Sequence, residues 1–509
     1  MQYFVGFVSI LLLFPQRSRN EALCPKRCVC DSTKSVQCYS ISAVPLGIPL
    51  DVRKLNLGHN NIKELKKSGY AGLEALEEII LSSCGIEAIE SNTFKSQCNL
   101  KVLDLVKNKL KHVPRALPQS LEILKLGNNR IQVLHDSHLE GLKKLRVLDL
   151  QNNLLSIIRP SSLSSLVRLE VLYLNGNNIE SISGPFRLPR LSRLNLENNK
   201  LSFIQSNAFN FLHTIQVLSL SGNQLVKVPQ DLPPTLLSLN LDQNQIRGLK
   251  GRDINHLKML SHLSLSYNRL SSIECDLSLP NLTILQLSGN QIKIIPCKLP
   301  AGLEKLDCSH NLIQEVTISG LSGLGQLKHL FLENNVIHHI EAGALKNCVK
   351  LTDLALEQNR LTAIPLGLPE TLVRLDLKGN NIAFISEEEV KNLQKLQMLN
   401  LRNNSLSSLS KAAVDLLSRL RRVYLDGNPW NCSCDLLKVE RLLLARQVEI
   451  PSGLCSEASR SQQEYKKISV TPLTGCQDDM EKTAEGGKDE RKMDKDNEPI
   501  ETEDYYDYD

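Results

Sequence analysis

The stretch LSLSYNRL, residues 263–270, decides the fold of this chain. Leu263 and Leu265 alternate with small polar residues as in a short β-strand, and Asn268 and the apolar Leu270 follow. This L-x-L-x-x-N-x-L frame recurs seventeen times, at intervals of 21, 22 or 24 residues. The asparagine position of the frame is occupied by Asn60, Cys84, Asn108, Asn129, Asn153, Asn177, Asn199, Asn223, Asn244, Asn268, Asn290, Asn311, Asn335, Asn359, Asn380, Asn404 and Asn428.

This pattern is the leucine-rich repeat signature, and it predicts one elongated solenoid instead of several globular domains. Each unit is one strand plus a return segment, and it buries its leucines only against its neighbours. We therefore expect an α/β-type solenoid: a horseshoe with a concave parallel β-sheet of about 17 repeats, capped by disulfides at both ends. The 21-residue units carry two prolines in their returns, which favours extended returns over helices.

Composition divides the chain into five segments. The apolar start predicts a signal peptide over residues 1–19, with a buried first strand as the alternative, and no later apolar run reaches membrane length. We expect an N-terminal cysteine cap over 24–50, repeats over 51–427 and a C-terminal cysteine cap over 428–476. Residues 477–509 hold fourteen acidic and five basic residues, which predicts a disordered tail.

The fourteen cysteines indicate an oxidising, extracellular compartment. Four cluster before the first frame and four after the last, where a secreted solenoid needs its core ends covered. Zinc is the competing interpretation, but paired C-x2-C knuckles are absent. Cys275 and Cys297 each follow a frame asparagine by seven residues in consecutive units, so we expect a disulfide between them. Cys84 and Cys308 fall on core positions and are expected to be buried thiols.

The concave sheet is the predicted binding face, because its residues between the frame leucines are free to vary. Phe331 with Glu333 and Glu357 predicts an apolar spot with an acidic border, whereas Tyr424 predicts an aromatic spot ringed by arginine. The basic residues of this second spot are Arg402, Arg421 and Arg422. Aromatic and arginine side chains are common anchors at interfaces, although single exposed aromatics also occur on ordinary surfaces.

Modification sites follow from the extracellular setting. Asn281, Asn403 and Asn431 stand in N-x-[ST] sequons and are candidate glycosylation sites. Tyr505, Tyr506 and Tyr508 lie among acidic residues and are candidates for sulfation, with a merely solubilising tail as the alternative. The tail has a net charge of −9, whereas the whole chain has a net charge of +5, so residues 1–476 carry a net charge of +14. This positive part of the chain is expected to attract sulfated glycans or the tail itself.

Catalytic patterns are absent from the sequence. It contains no H-E-x-x-H, no G-x-S-x-G and no P-loop, so we expect neither an enzyme nor a bound cofactor or metal, and no nucleic-acid partner.

The alternating short and long repeats and the N-terminal C-x3-C-x-C-x7-C resemble the small leucine-rich repeat proteoglycans and related matrix proteins. The resemblance implies pairing of Cys24 with Cys30 and of Cys28 with Cys38. At the other end NPWNCSCDL, from Asn428, is similar to a four-cysteine cap, which implies the pairs Cys432–Cys455 and Cys434–Cys476.

Within the family the chain most resembles a secreted member associated with restraining transforming growth factor β signalling. The resemblance therefore implies a secreted protein that binds a growth factor or its receptor on the concave face. A structural matrix protein that binds collagen or cells, and a soluble receptor decoy, are the alternatives.

Overall fold

The computed structural model describes residues 24–455. The predicted signal peptide, Cys476 and the acidic tail with its three candidate tyrosines lie outside the described residues.

Within this part of the chain, one sheet of nineteen strands forms the concave face. The first two strands belong to the N-terminal cap and pair antiparallel, and the remaining seventeen supply one strand to each predicted repeat, confirming the leucine-rich repeat solenoid. The strands are Cys28–Cys30, Ser35–Cys38, Lys54–Asn56, Glu78–Ile80, Val102–Asp104, Ile123–Lys125, Val147–Asp149, Val171–Tyr173, Arg193–Asn195, Val217–Ser219, Ser238–Asn240, His262–Ser264, Ile284–Gln286, Lys305–Asp307, His329–Phe331, Asp353–Ala355, Arg374–Asp376, Met398–Asn400 and Arg422–Tyr424.

The convex side contains only short elements, because a unit of 21 to 24 residues leaves little chain for the return. Four pairs of two-residue strands lie there: Glu64–Leu65 with Ala88–Ile89, Ser181–Ile182 with Phe203–Ile204, Gly248–Leu249 with Ser272–Ile273, and Glu315–Val316 with His339–Ile340. The helical turns are Lys67–Tyr70, Asp136–His138, Pro160–Leu163, Gly251–Ile254, Ile318–Leu321, Glu387–Val390 and Lys411–Leu416.

The frame leucines form the continuous core of the solenoid. Leu263, Leu265 and Leu270 of the central frame are at most 1% exposed, and the same positions are buried in turn after turn. Burial of one such side chain contributes roughly 1.5 to 3 kcal/mol to folding, so each turn stabilises the next through its leucines.

A ladder of buried asparagines joins consecutive turns. The side-chain amide of Asn268 donates to the carbonyls of Leu265 and Ser266 in its own turn, at 3.0 and 3.2 Å, and to Leu241 of the preceding turn at 2.9 Å. Its Oδ1 accepts the backbone N–H of Ile246 at 3.0 Å. The asparagine is therefore scaffold, because it satisfies backbone groups that the sharp turn would otherwise leave unpaired.

Disulfides secure both ends of the array, as predicted. Cys24 is bonded to Cys30 and Cys28 to Cys38 in the N-terminal cap. At the C-terminal end Cys432 is bonded to Cys455. Cys434 is also disulfide-bonded, and its predicted partner Cys476 lies outside the described residues.

The inner cysteines differ in their surroundings. Cys275 and Cys297 are joined in the structure, with Cα atoms 5.2 Å apart. The thiols of Cys84, Cys308 and Cys348 are free and buried, and that of Cys98 is free and exposed.

The C-terminal cap also covers one hydrogen-bonding edge of the sheet. At the C-terminal edge, the N–H of Val423 donates to the carbonyl of Glu449 at 3.0 Å, and the N–H of Glu449 donates to Arg421 at 2.8 Å. Helix Cys434–Ala445, with Ser433 as its N-cap, buries Leu436, Val439 and Leu443 over the end of the core.

Candidate functional site

The parallel register stacks the third residue of every strand into one lateral column of the concave face. Phe331 lies opposite Asp307 on one side and Ala355 on the other, and Asp376 follows on the next strand. Tyr424 stands in the same column four strands beyond Phe331, roughly 19 Å away at the usual strand spacing. The two predicted spots are therefore separate, and one small ligand cannot contact both.

Phe331 contacts two side chains, Lys305 and His329, that the sequence interpretation missed. The ammonium nitrogen of Lys305 is 5.0 Å from the ring centroid, and the His329 ring stacks against Phe331 with centroids 6.5 Å apart. Both residues lie in strands at positions facing the same side as Phe331, so the period of two could have identified them. Lys305 consequently places a positive charge against the ring of Phe331.

The acidic border of this spot is a row of crowded, half-buried carboxylates. Burial, together with the charges of Asp307 and Asp376, raises the pKa of Glu333 to about 7. The Oε2 atom of Glu333 is buried without a hydrogen-bond partner among the described residues. Burial also raises the pKa of Glu357 and that of Asp376, and these two side chains share a hydrogen bond.

Such a row can respond to a positively charged ligand. Crowded carboxylates avoid mutual repulsion by retaining protons, and a cation placed among them favours the ionised form. Asp376 is held in place by the side-chain amide of Asn400 at 2.9 Å and by the backbone N–H of Lys378 at 3.0 Å. The row is thus a positioned group of acceptors for a lysine or arginine of a partner.

The arginine-ringed spot around Tyr424 is largely neutralised within the structure. The guanidinium carbon of Arg402 lies 4.3 Å from the Tyr424 ring centroid, and Arg402 also pairs with Asp426 at 2.7 Å. Arg422 pairs with Glu449 at 2.6 Å. Among the described residues Arg421 has no ion-pair partner, so it is the one arginine of this spot whose charge is not offset by a carboxylate contact.

The other concave column, formed by the first residue of each strand, was not singled out from the sequence. It brings together a run of branched apolar side chains in the N-terminal half of the sheet. These half-buried residues are Val102, Ile123, Val147, Val171 and Val217, interrupted by Arg193. This column of the N-terminal half of the face is therefore largely apolar, whereas the third-residue column of the same half carries charged residues such as Asp104, Lys125 and Asp149.

A slot of about 810 Å³ opens on the convex side, where a 21-residue turn lies between longer turns. Its walls include Phe209 and Arg252, and its floor includes Leu232 and Pro233. His256 is fixed there by a 2.8 Å hydrogen bond to the carbonyl of Leu232. We assign no function to this slot, because the difference in turn length accounts for it.

The three sequon asparagines, Asn281, Asn403 and Asn431, are all exposed. Asn403 lies beside the strand that carries Tyr424, and its backbone N–H donates to the backbone carbonyl of Asp426, two residues after Tyr424, at 3.0 Å. A glycan at Asn403 would therefore border the Tyr424 spot and lie farther from Phe331.

Within residues 24–455 no group of three or more histidine, cysteine, aspartate or glutamate side chains has the arrangement needed to hold a metal ion. No helix in the same range is both long and apolar enough to cross a membrane.

Comparison with known proteins supports the repeat assignment. The Leucine rich repeat family profile matches residues 119–179, 234–292, 301–361 and 370–429, and a two-copy profile matches 167–209. Among solved structures, a leucine-rich repeat protein of Leptospira interrogans is 27% identical with a TM-score of 0.65, and the alignment covers 79% of this chain and 96% of that one. A chain of the Drosophila Toll–Spatzle complex is 18% identical with a TM-score of 0.63, and the alignment covers 80% of this chain and 58% of that one. This similarity shows that the two chains share a fold.

Curated relatives narrow the family further. Nephrocan of Mus musculus is 49% identical over 462 residues, which is 91% of this chain and 90% of the relative. Osteomodulin of Mus musculus is 33% identical over 23% of this chain and 29% of the relative, and fibromodulin of Oryctolagus cuniculus is 33% identical over 21% of this chain and 71% of the relative. The near full-length match to nephrocan, together with the capped solenoid, means that this chain belongs to nephrocan's family, the small leucine-rich repeat proteoglycans of the extracellular space.

Proposed function

We propose that this protein is secreted, binds an extracellular protein ligand with the C-terminal half of its concave face, and thereby restrains transforming growth factor β signalling. The observation that carries the proposal is the row of Glu333, Glu357 and Asp376 beside the half-buried Phe331. The direction of the signalling effect rests on the family resemblance.

The partner implied by this row presents a basic side chain next to an apolar one. A lysine or arginine that enters the row displaces a proton and gains a charge-assisted hydrogen bond to the Oε2 of Glu333. The apolar neighbour packs on Phe331, whose ring is contacted by Lys305 and His329. Binding therefore combines an aromatic anchor with a buried charge contact, the pairing that dominates many interfaces.

A reporter assay tests the proposal directly. Purified full-length protein should lower the response of a transforming growth factor β reporter line, and the double variant Glu333→Gln/Glu357→Gln should lower it much less. The matched control is Glu180→Gln/Glu370→Gln, which removes the same charge from exposed positions in the returns. An unchanged reporter at saturating wild-type protein would exclude the proposal, and equal potency of the two double variants would exclude the carboxylate row as its site.

A matrix role is the second candidate. The Tyr424 spot with its unpaired Arg421 adjoins the C-terminal cap and offers a separate surface for collagen or for cells. Co-sedimentation with collagen fibrils distinguishes the two functions, because only the matrix role requires retention in the pellet. Loss of retention in Arg421→Gln/Tyr424→Ala, with reporter inhibition intact, would assign collagen binding to this spot.

A further inference from the structure

Turn 108–129 carries a row of basic residues on the lateral side of the solenoid. Residues 105–121, LVKNKLKHVPRALPQSL, contain no acidic residue. Lys107, Lys109 and Lys111 are exposed, whereas the intervening Asn108 and Leu110 are buried. Because Asn108 and Leu110 are buried, Lys109 and Lys111 extend from the outer side of the same segment, and Lys107, which has a left-handed φ of 56°, lies at the start of that segment. At the corresponding positions of the next turn stand Asn128, Arg130 and Gln132, so the triple row is particular to this turn.

Neighbouring turns extend this row into a patch. Lys63 lies two turns earlier at the position equivalent to Lys111, and Arg130 lies on the next turn beside Lys109. Backbone hydrogen bonds fix this stacking, since the N–H of Glu87 donates to Lys63 and that of Arg130 donates to Leu110, each at 2.8 Å. We call Lys63, Lys107, Lys109, Lys111 and Arg130 the lateral basic patch.

The patch has a large excess of positive charge. Its central carboxylate is Glu87, which pairs with Lys109 at 2.9 Å. The hydrogen bond from Lys109 and the charges of Lys109, Lys63 and Arg130 lower the pKa of Glu87, so this single carboxylate stays ionised and is shared among several cations. Among the described residues no carboxylate is within ion-pair distance of Lys63, Lys107, Lys111 or Arg130.

The shape of the patch also leaves it accessible. Gly85 lies in the middle of it, between the turns of Lys63 and Lys109, with a left-handed φ of 73°. The space that a Cβ would occupy at this position is open. A ligand can therefore lie across the turns at Gly85 with basic side chains on both sides.

We propose that the lateral basic patch is a binding strip for a sulfated glycosaminoglycan chain. The strip runs across several turns, which suits a linear polyanion better than a compact anion. Its cations are mainly lysines on flexible stems, which suits repeated sulfate groups on a surface better than bidentate recognition of a single carboxylate. The turn of Asn108 lies ten turns before the turn of Asn335, which carries Glu333, so this inference is independent of the proposed growth-factor function.

The test measures the affinity of the full-length protein for immobilised heparin by surface plasmon resonance at physiological salt. The triple variant Lys107→Gln/Lys109→Gln/Lys111→Gln should bind roughly tenfold more weakly, as expected for the loss of three exposed charge contacts. The matched control Lys200→Gln/Lys227→Gln/Lys293→Gln removes the same charge from three separate turns, and it should stay within about twofold of wild type.

Circular dichroism melting of each variant verifies that the fold is kept. Chemically desulfated heparin should bind far less than heparin if sulfate is the recognised group. The proposal is overturned if wild type does not bind heparin, or if the two triple variants lose affinity equally. A synthetic peptide of residues 477–509 that competes at lower concentration than heparin would instead assign the strip to the chain's own acidic tail, which also overturns the proposal.

Discussion

The backbone N–H of Ile62 donates to the backbone carbonyl of Cys84 at 3.0 Å, whereas the equivalent N–H in the neighbouring turns is accepted by an asparagine side chain. Cys84 has no amide oxygen, so its main chain accepts this bond instead. Its thiol lies 3.0 Å from the carbonyl of Leu57, where an asparagine amide would donate. This turn thus keeps the inter-turn bonding of the ladder with a smaller, more apolar side chain.

Substitution of a ladder asparagine is expected to cost much more stability than substitution of Cys84. Asn153→Ala removes three donated hydrogen bonds and leaves the N–H of Ile131 without its acceptor. We expect a loss of about 2 to 4 kcal/mol in the free energy of unfolding, because buried groups are left unpaired. Cys84→Ala should cost about half as much or less, since the bond from Ile62 is to the main chain. Urea unfolding of both variants measures this, and equal losses would contradict the role given to the Cys84 carbonyl.

The carboxylate row should make the chain less stable as the pH rises. The pKa of Glu333 is raised from 4.5 to about 7 by burial, so between these values the folded state binds more protons than the unfolded state. The free energy of unfolding should therefore fall as pH increases through this window, and Glu357 and Asp376 act in the same direction.

The variant Glu333→Gln should flatten this dependence, and its stability relative to wild type should be greater at pH 8 than at pH 4.5. Thermal melting over that range is the measurement, with the exposed Glu180→Gln as control. If the stability of Glu333→Gln and that of Glu180→Gln change with pH in the same way, Glu333 is not the cause of the pH dependence.

The bond between Cys275 and Cys297 remains a prediction for the protein in solution. Alkylation of denatured, unreduced protein should leave these two cysteines unmodified and should modify Cys84, Cys98, Cys308 and Cys348. Peptide mass spectrometry without reduction should then find the 275–297 crosslink. Alkylation of both positions at the level of Cys348 would show that they are free thiols.

Glycan occupancy should differ among the three sequons. We expect Asn281 and Asn403 to be occupied, and Asn431 to be occupied poorly. The hydroxyl of Ser433 in its sequon accepts the N–H of Leu436 at 3.4 Å, and it lies between two disulfide-bonded cysteines. Early closure of the cap therefore competes with transfer of the glycan. Mass spectrometry after enzymatic deglycosylation measures occupancy, and Cys432→Ser/Cys455→Ser should raise it at Asn431.

The repeat frame predicts nearly all of the fold, because period, buried leucine and buried asparagine are local features of the sequence. The position of Phe331 beside Ala355 also follows, since a fixed register converts sequence offset into lateral distance. The charge state of Glu333 does not follow, because it depends on crowding by Asp307 and Asp376, which belong to other turns.

The same limitation applies to the arginines near Tyr424. The charges of Arg402 and Arg422 are offset by Asp426 and by Glu449, and Glu449 comes from the cap rather than from a repeat. The frame gives no information about where a cap residue will lie. Ion pairs between residues of two repeats can be inferred from the repeat spacing, but an ion pair between a repeat residue and a cap residue can be identified only in the three-dimensional structure.

The caps at the two ends of the sheet have a consequence for the behaviour of the protein at high concentration. A stack of parallel strands about 4.8 Å apart has the spacing of an amyloid protofilament, and an open end would accept further strands. Here the edge strand Arg422–Tyr424 is covered at Glu449, and the opposite edge ends in an antiparallel hairpin closed by disulfides. The caps thus fix the length of the solenoid and prevent its end-to-end growth into a fibre.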